Sequence, residues 1–131
     1  MREKVSVIVP CYNEQEALPY FYHEITSIMS RFPYDYELIL VNDGSKDQTL
    51  QVIKKLAEED PHIIYVSFSR NFGKEAAMYA GFHQTSGDYI AVMDADMQDP
   101  PSLLPKMLKI LQSEQYDSVA TRRVNRDGEP L

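Results

Sequence analysis

Val5-Ser-Val-Ile-Val-Pro-Cys-Tyr-Asn-Glu14 decides the fold. A β-branched run closed by proline reads as a short buried strand that opens into a polar loop. Beyond it, Leu18, Phe21, Ile25, Ile28, Met29 and Phe32 fall at spacings of three and four, one face of a helix. Pro19 has to sit near the first turn of that helix, so it begins between Glu14 and Leu18.

The same couplet recurs down the chain. Glu37 to Val41 predicts a second strand, stopped by Asn42-Asp43-Gly44. Ser45 and Gln48 have the S-x-x-Q spacing of a capping box, opening a helix with Leu50, Ile53, Leu56 and Ala57 inward. Ile63 to Phe68 predicts a third strand and Lys74 to Gln84 a third helix, whose Ala76, Ala77, Ala80 and Gly81 allow close approach to a sheet. Asp88 to Met93 is a fourth strand. Asp99 can cap a fourth helix with Pro100 at its first position and Leu104, Met107, Leu108 and Leu111 inward. Tyr116 to Thr121 is a fifth expected strand. Strand and helix alternate four times without a hairpin signal, which predicts an α/β fold: a single domain over 1–131 with a mainly parallel, doubly wound, Rossmann-like sheet. The polar segment Arg122 to Leu131 has no partner element, so the domain is expected to be truncated there.

Composition narrows the function. Thirteen basic against 20 acidic residues give a net charge of −7, which argues against a nucleic-acid partner and sets a problem for any phosphorylated ligand. A bound cation would solve it. The single cysteine, Cys11, excludes an internal disulfide and fits a reducing, cytoplasmic compartment. No apolar run approaches the ~18 residues that span a bilayer. Cys11, His23, His62 and His83 match no zinc spacing, and there is no Walker A, G-x-S-x-G or G-x-G-x-x-G motif.

Ligands of such sheets bind at the carboxyl ends of the strands. Here those ends carry Pro10-Cys-Tyr-Asn-Glu14, Asn42-Asp-Gly-Ser45, Ser69-Arg-Asn-Phe-Gly-Lys74 and Asp94-Ala-Asp-Met-Gln-Asp99, all polar. On an extended chain Asp94, Asp96 and Gln98 share one side, a set of hard oxygens suited to Mg²⁺ or Mn²⁺; a pair of turn-capping aspartates is the plainer alternative. Asp43 can accept from a base N–H or form an Asp-Gly turn. Glu14 can line a pocket or favour a helix N-terminus, and Tyr12 can stack on a base or pack. Arg70, Asn71, Gly73 and Lys74 enter the third helix as a candidate anion site. Arg122, Arg123 and Arg126 form a basic cluster that can meet phosphate or remain a charged tail.

Val7-Ile-Val-Pro-Cys-Tyr-Asn-Glu14, Val41-Asn-Asp-Gly-Ser45 and Asp94-Ala-Asp96 resemble the three ordered signatures of family 2 glycosyltransferases with the GT-A fold. Ser69-Arg-Asn-Phe-Gly-Lys-Glu-Ala-Ala77 and Asp94-Ala-Asp-Met-Gln-Asp-Pro-Pro101 are similar to the branch of dolichyl-phosphate mannosyltransferases and bactoprenol glucosyltransferases. The resemblance implies metal-dependent, inverting transfer from a UDP- or GDP-linked sugar to a polyprenyl phosphate at the cytoplasmic face of a membrane. It implies that Pro10, Tyr12, Glu14 and Asp43 contact the nucleoside and that Asp94 and Ala95 lie by the ribose and diphosphate. Asp96, as the catalytic residue, and Gln98 would hold the metal, and Arg122, Arg123 and Arg126 would meet the acceptor phosphate. On this view the chain is an N-terminal, donor-binding piece with no turnover of its own. A nucleotidyltransferase that makes nucleotide sugars and a non-catalytic nucleotide-binding module are the alternatives. The first normally carries a glycine-rich basic loop where this chain has Cys-Tyr-Asn-Glu.

Overall fold

The computed structural model describes residues 2–113. Strands β1 (Lys4–Cys11), β2 (Asp35–Asn42), β3 (Ile63–Ser67) and β4 (Tyr89–Val92) alternate with helices α1 (Ala17–Met29), α2 (Thr49–Glu59), α3 (Lys74–Phe82) and α4 (Leu103–Ser113). The sheet is parallel throughout, in the order β3-β2-β1-β4. The chain thus winds outward from β1 to β3, then returns across the sheet to lay β4 on the other side of β1. Right-handed crossovers require that return to run over the opposite face. The described residues divide into two compact units, residues 2–101, with the sheet and α1 to α3, and residues 102–113, which hold α4.

Register sorts the core by face. Ile8 pairs with Ile39 and Pro10 with Val41; Val41 pairs in turn with Val66. Ile8, Ile39 and Val41 pack with Ala77 of α3, and Ile64, Val66 and Phe68 flank them. The expected close approach of α3 is met at Gly81: a Cβ there would stand 2.5 Å from Ile8 Cγ2. Val7, Val9, Leu38 and Leu40, offset by one position, are fully or almost fully buried. So are Leu18, Phe21, Ile25, Ile28 and Met29 of α1, while Phe32 lies past the helix end and is exposed.

Several expected boundaries shift for physical reasons. β2 starts earlier than expected, because Asp35 and Tyr36 pair with Lys4 and Val5. The Ser45–Gln48 capping box does not form. Helix α2 begins at Thr49, whose N–H donates to Asp47 Oδ1 at 2.9 Å, while Ser45 is recruited by another loop. Only Ile53 of its expected inward set is fully buried. Helix α3 ends at Phe82, two residues early. Helix α4 starts at Leu103 rather than Pro100, since Pro101 disfavours a helical conformation at the residue before it. Leu104 and Leu108 are buried along α4. The expected strand Tyr116 to Thr121 lies outside the described residues.

One charged side chain is buried in the sheet. Glu37 accepts from Ser6 Oγ (2.6 Å), Ser86 N–H (2.8 Å) and Ser86 Oγ (3.1 Å), and Lys4 Nζ stands 3.3 Å away. Ser6 Oγ also receives Gly87 N–H at 2.8 Å. The network ties the turn before β4 to the amino ends of β1 and β2. Burial alone would raise the Glu37 carboxyl, but the bonds from Ser6, Ser86 and Lys4 outweigh it and hold it below its ordinary 4.5. Its stabilisation is therefore complete above that ordinary value and fades as pH falls through the lowered folded value. Glu37→Ala, which leaves the Ser6 and Ser86 donors without their acceptor, should lose about 2 kcal/mol or more in urea unfolding at neutral pH. The gap to the parent should narrow in acid. A loss below about 0.5 kcal/mol would mean that the network carries no stability.

Candidate functional site

The carboxyl ends of β1, β2 and β4 surround a cavity of about 220 Å³, lined by Pro10, Cys11, Tyr12, Glu14, Asp43, Lys74, Asp94, Ala95, Asp96 and Gln98. It lies where the winding reverses, between β1 and β4, the crevice in which open α/β sheets take their ligands. Pro10, Tyr12, Glu14, Asp43, Asp94, Ala95, Asp96 and Gln98, the donor- and metal-site residues named from the sequence, all line it, as does Lys74 of the candidate anion loop, whereas Arg70, Asn71 and Gly73 do not. Arg122, Arg123 and Arg126 lie outside that range.

Each loop is held by its neighbour. Asn13 N–H donates to Ser45 Oγ (2.9 Å), and Asn13 Oδ1 accepts from Lys46 N–H (2.8 Å). Glu14 N–H donates to Thr49 Oγ1 (2.8 Å) and Gln48 N–H to Gln15 Oε1 (2.8 Å). These bonds lace the β1–α1 loop to the β2–α2 loop. Asn13 adopts a left-handed conformation (φ 53°), which asparagine tolerates better than most residues.

Asp43 makes the next link. Its Oδ1 accepts from Phe72 N–H at 2.8 Å; its Oδ2 accepts from Gly73 N–H and Asn71 Nδ2, both at 3.1 Å. The segment entering α3 thus crosses the end of β2. Beside it Gly44 (φ +65°) supplies the clearance, since a Cβ there would sit 2.1 Å from the Arg70 carbonyl carbon. The sequence suggested that the amides leading into α3 await an anion. They already have one, the buried Asp43 carboxylate. Arg70 does not line the cavity; its guanidinium lies over the Phe72 ring at 4.6 Å.

The Asp94-Ala-Asp96 segment departs from the extended geometry expected of it. Met97 N–H bonds back to Asp94 C=O at 3.1 Å, and Met97 has φ 57°. A turn, not an i, i+2 alternation, brings the two carboxylates to one cavity. They also face different partners. Asp94 Oδ1 takes Lys74 Nζ at 2.6 Å, while Asp96 Oδ2 takes Gln98 Nε2 at 2.7 Å. Ala95 between them is buried.

Lys74, read from sequence as part of a loop anion site, instead faces Asp94 and is, among the described residues, the only basic one of the lining. The remaining charge is negative. Burial raises the Glu14 carboxyl, and Asp96, Asp94 and Asp47 push it further in the same direction. Burial drives the Cys11 thiol far up, which makes it a packing group. Asp96 and Gln98 are both exposed at the cavity and lie together, Gln98 Nε2 donating to Asp96 Oδ2; a carboxylate and an amide are a donor set that fits a small divalent cation taking few protein ligands, once the amide turns its oxygen to the ion. Among the described residues no group of three or more His, Cys, Asp or Glu side chains is arranged to hold a metal by itself.

Comparison with known proteins agrees with this geometry. The model of Glycosyl transferase family 2 matches residues 6–131. A bactoprenol glucosyl transferase of Shigella phage SfX is 42% identical over 94% of this chain. An undecaprenyl-phosphate 4-deoxy-4-formamido-L-arabinose transferase of Photorhabdus laumondii is 42% identical over 95% of it. The chain spans only 40% and 38% of those two proteins. Among solved structures, a mannosyltransferase from Pyrobaculum calidifontis in complex with GDP-Man and Mn²⁺ superposes with a TM-score of 0.67 at 26% identity, covering 85% of this chain and 33% of that one. A glucosyl-3-phosphoglycerate synthase from Mycobacterium tuberculosis with Mn²⁺, UDP-glucose and phosphoglyceric acid gives 0.66 at 25% identity, covering 85% of this chain and 40% of that one. These neighbours are GT-A glycosyltransferases, as the sequence resemblance implied.

The crowding of carboxylates has a thermodynamic signature. A carboxyl whose folded pKa is raised favours folding below its unfolded value and opposes it once ionised. Glu14→Gln should therefore raise the melting temperature of the metal-free protein at pH 7, with the gain vanishing below the ordinary carboxyl value of 4.5. A Glu14→Gln protein no more stable than the parent at pH 7 would refute the repulsion.

Proposed function

Because the chain belongs to glycosyltransferase family 2, we propose that its strand ends form the donor site for sugar transfer from a nucleoside diphosphate to a polyprenyl phosphate. The observation that carries this reading is the convergence of Tyr12, Glu14, Asp94, Asp96 and Gln98 on one cavity at the switch point.

Pro10, Tyr12 and Glu14 would bound the nucleoside, with the half-exposed Tyr12 ring offered for stacking. Asp43 would close the base end. Its carboxylate is already engaged by the β3–α3 loop, so a base N–H would have to displace a donor, most readily the Asn71 side chain. Asp94 and Ala95 would run beside the ribose and diphosphate, and Asp96 and Gln98 would hold Mg²⁺ or Mn²⁺. That ion supplies positive charge for the diphosphate leaving group in a cavity that is otherwise acidic. The Mn²⁺ bound with nucleotide sugar in the two solved structures supports the assignment.

Transfer would invert the anomeric centre. A phosphate oxygen of the acceptor attacks the anomeric carbon as the bond to the β-phosphate oxygen breaks, and the electron pair leaves on the nucleoside diphosphate. An ionised acceptor brings its own lone pair, so no side-chain base is required. The polyprenyl acceptor rests on the bactoprenol and undecaprenyl-phosphate enzymes at 42% identity. Arg122, Arg123 and Arg126 would meet its phosphate at the cytoplasmic face of a membrane. Among the described residues no helix is long and apolar enough to cross one.

Calorimetry with UDP and GDP, with and without Mn²⁺, tests the donor site. At least one of the two should bind, more tightly with the metal, and Asp96→Ala should lower that affinity about tenfold or more. The reading fails if Mn²⁺ promotes the binding of neither nucleotide.

A further inference from the structure

The two aspartates of Asp94-Ala-Asp96 lie in one cavity, yet one is paired with a cation and the other is not. Lys74 Nζ sits 2.6 Å from Asp94 Oδ1, and its side chain is 56% exposed, so surface packing alone does not force the contact. What places Lys74 there is the backbone ahead of it. Phe72 and Gly73 are fixed by Asp43, and Lys74 is the first residue of α3. Asp96, by contrast, is exposed and, among the described residues, bonded only to its near neighbour Gln98.

We propose that Lys74 is a positioning residue that holds Asp94 out of the metal's coordination sphere, so that of the two aspartates only Asp96 offers the cation a carboxylate. The proposal rests on the donor-site reading above and deepens it. Two free carboxylates two residues apart would bind a divalent ion by themselves and leave fewer places for diphosphate oxygens. With Asp94 neutralised, the ion is held weakly until the donor supplies the missing oxygens. Metal and nucleotide then bind as one unit. Asp94, anchored at one oxygen, is left to take a donor hydroxyl instead.

Lys74→Met keeps the length of the side chain and removes its charge. Binding of Mn²⁺ alone, followed by electron paramagnetic resonance, should tighten about tenfold. Binding of UDP or GDP at saturating Mn²⁺ should weaken over the same substitution. Lys74→Arg should restore both values, and in an Asp94→Asn background the gain in Mn²⁺ affinity from Lys74→Met should vanish. A purely structural role for Lys74 would move both affinities the same way or neither. Unchanged or weakened Mn²⁺ binding in Lys74→Met, including none in either protein, overturns the proposal. Failure of the parent chain to bind UDP or GDP with Mn²⁺ would instead sink the donor-site reading, while the Mn²⁺ titration still decides the role of Lys74.

Discussion

The Asp43 carboxylate is the contact on which the rest of this molecule turns. A doubly wound sheet must reverse its direction once, and here the reversal runs through the segment between β3 and α3, which crosses the carboxyl end of β2. A crossing backbone strips water from its own amides. Asp43 satisfies two of them and the Asn71 side chain, and Gly44 lets the segment pass at a distance that no side chain would allow. From that anchored crossing α3 descends over β1 and β2, and Lys74 arrives beside Asp94. The fold's change of direction and the cavity's charge arrangement thus share one cause.

Much of this was legible in the sequence because apolar periodicity is local. The β-branched runs located β1 and β2, the small residues of α3 foretold its contact with Ile8, and the polar strand ends marked the cavity. Long-range partners were not legible. Ser45 looks like a helix cap until Asn13, 32 residues earlier, takes its hydroxyl. Asp43 looks like a ligand group until Phe72 and Gly73 fold over it. The turn at Asp94–Met97 depends on a left-handed methionine, a conformation that residue type does not advertise. Lys74 gave one faint signal: it is the only basic residue of the strand-end segments that lines the cavity.

The two ends of the sheet treat acidic side chains in opposite ways. At the amino ends, Glu37 is buried and met by Ser6, Ser86 and Lys4, so that its charge costs nothing it does not regain. At the carboxyl ends, Glu14 and Asp96 are left in mutual repulsion, with one lysine committed to Asp94. Unrelieved repulsion is a reservoir of binding energy for a cation, and it sits where a ligand is expected, not where the fold needs strength.

Glu37 also has a bearing on the order in which the chain can be assembled. Its partners on β1 lie about thirty residues away along the chain, but Ser86 is 49 residues further on. As the chain leaves the ribosome, β1, β2 and β3 can pair while the flank of β1 destined for β4 still lies open. During that interval Glu37 is an incompletely neutralised carboxylate beside an otherwise apolar margin, and an inward-pointing charge of this kind discourages a stray strand from another molecule. The correct strand alone brings Ser86 and Gly87 with it. The group that braces the finished sheet thus gets its full set of partners only when the last strand arrives with Ser86.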